Sequence, residues 1–122
     1  MVKVVLLLRR KPGMTRDEFI EYYETKHVPL CLDLFPDLFL DYRRSYIMPD
    51  GMYSAAHVGE SAAVPDFDVI SEIWFKSHED FERMEAGFAD PEIGPRLRAD
   101  EMNLFDTRPE AMVLMRVEEY CS

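Results

Sequence analysis

Apolar and polar positions along the chain change period several times, and each change marks an element. Val2 to Leu8 is a nearly unbroken aliphatic run with three valines, the composition of a central strand buried on both faces. Pro12-Gly13 ends it with a turn, and Thr15 with Glu18 forms a capping box that opens a helix near Thr15. Phe19, Tyr23 and His27 then recur four residues apart, which stacks them on one helical face, and Pro29 is expected to limit further propagation. Phe39 to Met48 reads as a second strand, Asp68 to Phe75 as a third and Met112 to Glu118 as a fourth. Between the last two, Ser77 and Asp80 mark another helix start, with Phe81, Met84 and Phe88 on one face. Pro91, Gly94 and Pro95 are expected to break the chain before a shorter turn or helix leading to Phe105.

The order β-α-β-β-α-β is the split pattern of a ferredoxin-like α+β fold: one antiparallel sheet with both helices on one face, in a single domain over residues 1–122. The connection from Pro49 to Phe67 is long for such a domain, and reads as a pocket lid, a dimer arm or a disordered loop.

Several segments together resemble the EthD family: Lys11-Pro12-Gly13-Met14 after the first strand, His27-Val28-Pro29-Leu30 closing the helix, Tyr42 to Ile47, Asp68 to Ser77, Asp100-Glu101 with Phe105-Asp106, and Met112 to Glu119. The resemblance covers nearly the whole chain. It implies a homodimer in which two sheets close around each other as a dimeric α+β barrel, and a histidine at the place of His27 that points toward a cavity.

Composition narrows the range of partners. A length of 122 residues suits one domain with a modest core. The net charge of -10 opposes the clustered cationic surface by which proteins hold nucleic acid, and disfavours adsorption to anionic membranes. With no apolar run of about twenty residues for a membrane span and no signal-peptide pattern, the expected location is cytoplasmic. Cys31 and Cys121 are too few for a disulfide framework and read as free thiols; Cys31, just beyond His27, reads as a small buried side chain before it reads as a nucleophile.

The candidate chemistry sits on the helix face and the strands. His27 is the expected general acid or base, because imidazole titrates near neutrality and this position is partly sheltered. Tyr42, Arg44 and Tyr46 share one face of the second strand; Asp68, Ile70, Glu72 and Trp74 share one face of the third. Such mixed aromatic and ionisable faces suit a ligand cavity, although Arg44 paired with Asp68 or Glu72 in a structural ion pair fits them equally well. In the cavity reading, Tyr42 and Tyr46 donate to an enolate or phenolate oxygen, Arg44 holds a carboxylate, and Glu72, buried beside Trp74 with a raised pKa, is the second proton-transfer group. Tyr23, Tyr46, Asp68 and Trp74 are the expected substrate contacts, with Tyr23 also packing helix against sheet. His57 and His78 read as solvated, and Asp100, Glu101 and Asp106 as a solvated acidic turn rather than a metal site.

No phosphate loop, Walker pattern or zinc motif is present, and the resemblance brings no propionate-binding pattern for haem, so no cofactor and no metal is expected. The clustered groups, together with the resemblance to a family whose relatives resemble lactone isomerases and decarboxylases, imply a small cofactor-independent enzyme acting by proton transfer on an aromatic, lactone or polyketide-like molecule as a decarboxylase, isomerase, cyclase or other lyase. The resemblance also implies two other readings: a cofactor-free monooxygenase or oxidoreductase of phenols, as in other dimeric α+β barrels, in which the substrate supplies the electrons, and a non-catalytic accessory protein of an oxidative degradation pathway.

Overall fold

In the computed structural model, residues 1–52, 54, 56 and 67–122 are described; His57 and most of the 49–67 connection fall outside them. Strands β1 (Val2–Leu8), β2 (Phe39–Tyr46), β3 (Val69–Phe75) and β4 (Met112–Val117) form one sheet in the order β2-β3-β1-β4. Every neighbouring pair is antiparallel. The aliphatic run thus takes the central place expected of it, with Val4 and Leu8 buried beneath the helices. This is the ferredoxin-like arrangement.

The first helical segment, α1 (Arg16–Tyr22), opens on Thr15, whose hydroxyl accepts from the Glu18 amide while the Glu18 carboxylate accepts from the Thr15 amide. It does not end before Pro29. A π-helical turn, Tyr23–His27, carries the chain into α2 (Val28–Leu34), which takes Pro29 in its first turn. A proline interrupts a helix because it lacks an amide proton and its ring crowds the carbonyl four residues back. Here it follows a widened turn, in which the Val28 amide reaches back to the Tyr23 carbonyl, and it stands where an amide donor is least needed.

Helix α3 (His78–Ala89) begins at the Ser77 cap and buries Phe81 and Met84. The segment expected to be broken by proline and glycine is instead a full helix, α4 (Ile93–Leu104). Asp90 makes this possible by accepting from the amides of Glu92 and Ile93 at 2.8 and 2.9 Å, and Pro95 lies in the first turn, where its missing donor costs nothing. Gly94 serves a different purpose. A Cβ there would lie 2.5 Å from the Phe88 carbonyl oxygen, so glycine lets α4 start directly against the end of α3. Gly94→Ala is expected to cost about 1–3 kcal/mol despite the better helix propensity of alanine, which a urea melt would measure. An unchanged midpoint would show that the two helix ends can separate freely.

Two clusters fill the space between sheet and helices. One gathers Val4, Phe35, Ile73, Phe75, Phe81, Met84 and Leu97; the other gathers Leu8, Phe19, Tyr23, Val69, Leu104 and Phe105. The candidate site lies where they meet.

Candidate active site

The register of β2 against β3 decides which expected groups share a face. Arg44 stands opposite Ser71 and Arg43 opposite Glu72, so Tyr42, Arg44 and Tyr46 lie on the helix side of the sheet with Ser71 and Ile73. Glu72 and Trp74 lie on the other side. There Lys3 binds both Glu72 and Glu119 at 2.7 Å, the Trp74 indole donates to Glu119 at 2.8 Å, and Lys3 and Arg43 stack on the Trp74 ring. The two strands alternate as expected, but the face of β2 with Tyr42, Arg44 and Tyr46 meets the Val69, Ser71 and Ile73 face of β3, not its Glu72 and Trp74 face. Glu72 is therefore not a partner of His27, and Trp74 is not a wall of its cavity. Asp68 is also elsewhere: it accepts from the Arg10 amide at 2.9 Å at the end of β1.

Tyr46 and Arg44 remain on the helix side, yet both are occupied. Glu24, on the π turn, accepts from two Arg44 nitrogens at 2.9 and 2.6 Å and from the Tyr46 hydroxyl at 2.5 Å. The Arg44 hydrogen bonds, working against burial, hold the Glu24 carboxyl below its usual range. The structural ion pair anticipated for Arg44 thus exists, but with Glu24 in place of Asp68 or Glu72. An Arg44 fork closed on one carboxylate is not open to a second.

His27, Tyr23 and Tyr42 meet at a cavity of about 240 Å³ between the helices and the sheet. Its walls are largely apolar, with Phe39, Met84, Phe88 and Leu97 among them, and Cys31 and Glu101 adding polar groups. Phe19, Tyr23 and His27 do project from one side of the helix and are buried at 0, 1 and 7% exposure. The Tyr23 hydroxyl lies 2.6 Å from Ser71 Oγ and 2.9 Å from the Tyr42 hydroxyl. Either hydroxyl can donate in each pair; in the arrangement where Ser71 donates to Tyr23 and Tyr23 to Tyr42, the Tyr42 proton is free for a ligand oxygen. Burial pushes the Tyr23 phenol up to about 12 and raises Tyr42 as well, so both are neutral donors near pH 7.

The partner of His27 is Asp100, whose Oδ2 lies 2.5 Å from Nδ1; the Tyr22 hydroxyl donates to the other carboxylate oxygen at 2.9 Å. Asp100 is 8% exposed and Asp106 4%, so the acidic turn expected to be solvated is buried. Asp106 belongs to Arg108, which holds its carboxyl down at about 2. No cluster of three metal-ligating side chains occurs among the described residues. Burial alone would lower the pKa of His27, but the Asp100 hydrogen bond, aided by Cys31, raises it to about 9. Burial likewise works against the Asp100 carboxylate, and hydrogen bonds from His27 and Tyr22 outweigh it, keeping its pKa low. The pair is therefore an imidazolium and a carboxylate at neutral pH, with Nε2 turned toward Cys31 and the cavity. Glu101 behaves oppositely. Burial raises its carboxyl, the His27 charge opposing the rise and Asp100 adding to it.

The sequence profile of the EthD domain matches residues 11–108. The chain belongs to the EthD family. The EthD fold recurs in solved structures across almost the full length of this chain. An EthD family protein of Bacillus halodurans is 23% identical, with 98% of this chain and 100% of that one aligned and a TM-score of 0.59. An EthD-like protein of Ralstonia eutropha is 21% identical over 96% and 89% of the two chains, with a TM-score of 0.65. A dimeric ferredoxin-like protein of a Jannaschia species is 12% identical over 97% and 98%, with a TM-score of 0.55. Among the described residues, no helix of this EthD protein is long and apolar enough to cross a membrane.

Two acidic groups of this EthD domain have roles its sequence does not announce: Asp100 as the partner of His27 and Glu101 on the cavity wall. Asp100 is 73 positions from His27, and nothing local marks it as a partner. Glu101 follows it on the same helix, and the available hint was that the pair Asp100-Glu101 falls within the resemblance to the family.

Proposed function

We propose that this EthD protein is a small-molecule enzyme that catalyses proton transfer in the cavity between helices and sheet. The observation that carries this reading is the buried Asp100–His27 pair, which fixes Nδ1 and leaves Nε2 to a mostly apolar space. At neutral pH the imidazolium serves as general acid, delivering its proton to a carbanion or an oxyanion, and Asp100 holds the ring in place. Tyr42 stabilises developing charge on a carbonyl or phenol oxygen by donating its hydroxyl proton. Glu101, a carboxyl with a raised pKa beside the same imidazolium, takes the second proton-transfer role first expected of Glu72. A cavity of this size and apolarity suits a single aromatic ring or a lactone with a polarisable carbonyl. Lyase, isomerase and cyclase reactions all use these steps.

The test is deuterium exchange. Phenolic ketones and lactones bearing an acidic α-hydrogen, incubated with the protein in heavy water, should take up deuterium at that carbon, followed by NMR. His27→Gln should return the exchange to the uncatalysed rate; full exchange in that variant would remove His27 from the mechanism. Binding of the same compounds with no exchange would favour a carrier or accessory role. That second reading has support in the structure, since every buried side-chain polar atom among the described residues already has a partner.

We also infer a homodimer formed through the sheet face opposite the helices, which carries Lys3, Arg43, Glu72 and Trp74 and, among the described residues, has no helix upon it. The dimeric state of the Jannaschia relative supports this. Sedimentation equilibrium should return twice the chain mass of 14.3 kDa, and Trp74→Glu should halve it; a wild-type monomer would reject the assignment.

A further inference from the structure

One reactive group on the cavity wall has no part in proton transfer. Cys31 Sγ lies 3.5 Å from His27 Nε2, one turn further along the same helix face, and is 9% exposed. Cysteine, imidazole and carboxylate therefore stand in line, with Asp100 orienting His27 and His27 facing the sulfur. A nucleophile against a base that a third group holds in position is the arrangement that activates thiols and hydroxyls on unrelated folds. The second thiol, Cys121, is exposed near the chain end and has no such neighbours among the described residues.

We propose that Cys31 is a nucleophile that adds covalently to α,β-unsaturated carbonyl compounds bound in the cavity. In protein whose His27 is neutral at Nε2, the Sγ proton passes to Nε2 as the sulfur attacks, and the imidazolium so formed keeps it. A bond forms from sulfur to the β-carbon and the carbon–carbon π bond breaks. The displaced pair moves through the α-carbon onto the carbonyl oxygen, as an enolate that Tyr42 lies on the same wall to receive. The proton on Nε2 then closes the α-carbon–hydrogen bond. The sum is addition of S–H across C=C, and no oxidant, reductant or further reactant is required. Reversal uses the same proton in the opposite direction.

The ligand class follows from the walls. Phe39, Leu97 and Phe105 offer apolar contact to an aryl or alkyl enone, and a charged electrophile would lose its hydration on entering so apolar a space. This inference goes beyond proton-transfer turnover and does not rest on it, because an adduct can form whether or not any substrate is released.

The full chain is treated with one equivalent of phenyl vinyl ketone, and the modified cysteine is located with time by peptide mass spectrometry. Cys31 is expected to react ahead of Cys121 although it is the buried thiol. His27→Gln should slow Cys31 by about 10²-fold, the usual scale for removal of a positioned acid–base group, while leaving Cys121 unchanged as an internal reference. If Cys121 is modified first and Cys31 only in denaturant, the proposal is overturned by the wild-type protein alone, whatever the folding state of the variant. An unchanged Cys31 rate in folded His27→Gln would overturn it equally. The two readings of the cavity fail separately: deuterium exchange without an adduct removes this one, and an adduct without exchange removes the other.

Discussion

Asp100→Ala is expected to destabilise the fold by about 3–5 kcal/mol at neutral pH, because it leaves a buried imidazolium without its partner. The loss should depend on pH in a defined way. The folded-state pKa of His27 is raised from 6.5 to about 9, so its contribution is fully present below 6.5 and disappears as pH rises through 9. By the linkage relation this span is worth about 3 kcal/mol. Asp100 has a lowered pKa, so its contribution is present above 3.8 and is lost as pH falls below that value. The pair therefore stabilises the protein most between pH 3.8 and 6.5. Thermal midpoints of wild type and Asp100→Ala, followed from acid to alkaline pH, should lie furthest apart in that window and converge above pH 9. A constant gap up to alkaline pH would show that His27 is neutral in the folded protein.

Phe105→Ala should cost a similar 3–5 kcal/mol, for a reason of packing rather than charge. Its ring meets Phe19, Tyr23 and His27 edge to face, with centroids 6.0, 5.6 and 5.3 Å away, and it is 4% exposed. Phe19→Ala removes a ring from the same cluster and should cost as much. The two differ in what the void joins. Phe105 lines the cavity and Phe19 does not, so only Phe105→Ala should shift binding toward larger aromatic compounds. Urea denaturation and calorimetric binding of a graded series of phenols would separate these effects. Equal ligand preference in both variants would mean that the Phe105 void closes on itself.

The sheet and the helix starts were legible because their signals are local. Val2 to Leu8 states its strand in seven consecutive residues, and Thr15 and Ser77 cap their helices within three. The cavity was half legible. His27, Tyr23 and Tyr42 could be placed by helical spacing and strand alternation, whereas the link from His27 to Asp100 spans 73 positions and leaves no periodic trace. Strand alternation also assigns two faces without saying which is covered. The apparent polarity of Asp68, Glu72 and Trp74 pointed to the wrong one, since the helices cover Val69, Ser71, Ile73 and Phe75. Pro29 and Pro95 misled for different reasons: Pro95 occupies the first turn of its helix, whereas Pro29 follows the widened π turn that lets the helix pass it.

The π turn has a consequence for the phase of the whole helix. Buried residues fall at 19, 23, 27, 31 and 35, a strict interval of four. In a regular α-helix each interval of four overshoots a full rotation by about 40°, so five such residues would spiral through about 160° and leave the core. The under-wound stretch at Tyr23–His27 gives back part of that rotation, and so Phe19 and Cys31 can both point inward. Loss of a single residue from this stretch would restore ideal winding and turn everything beyond it by about 100°. Homologous chains should therefore tolerate substitutions here far more readily than a change in length.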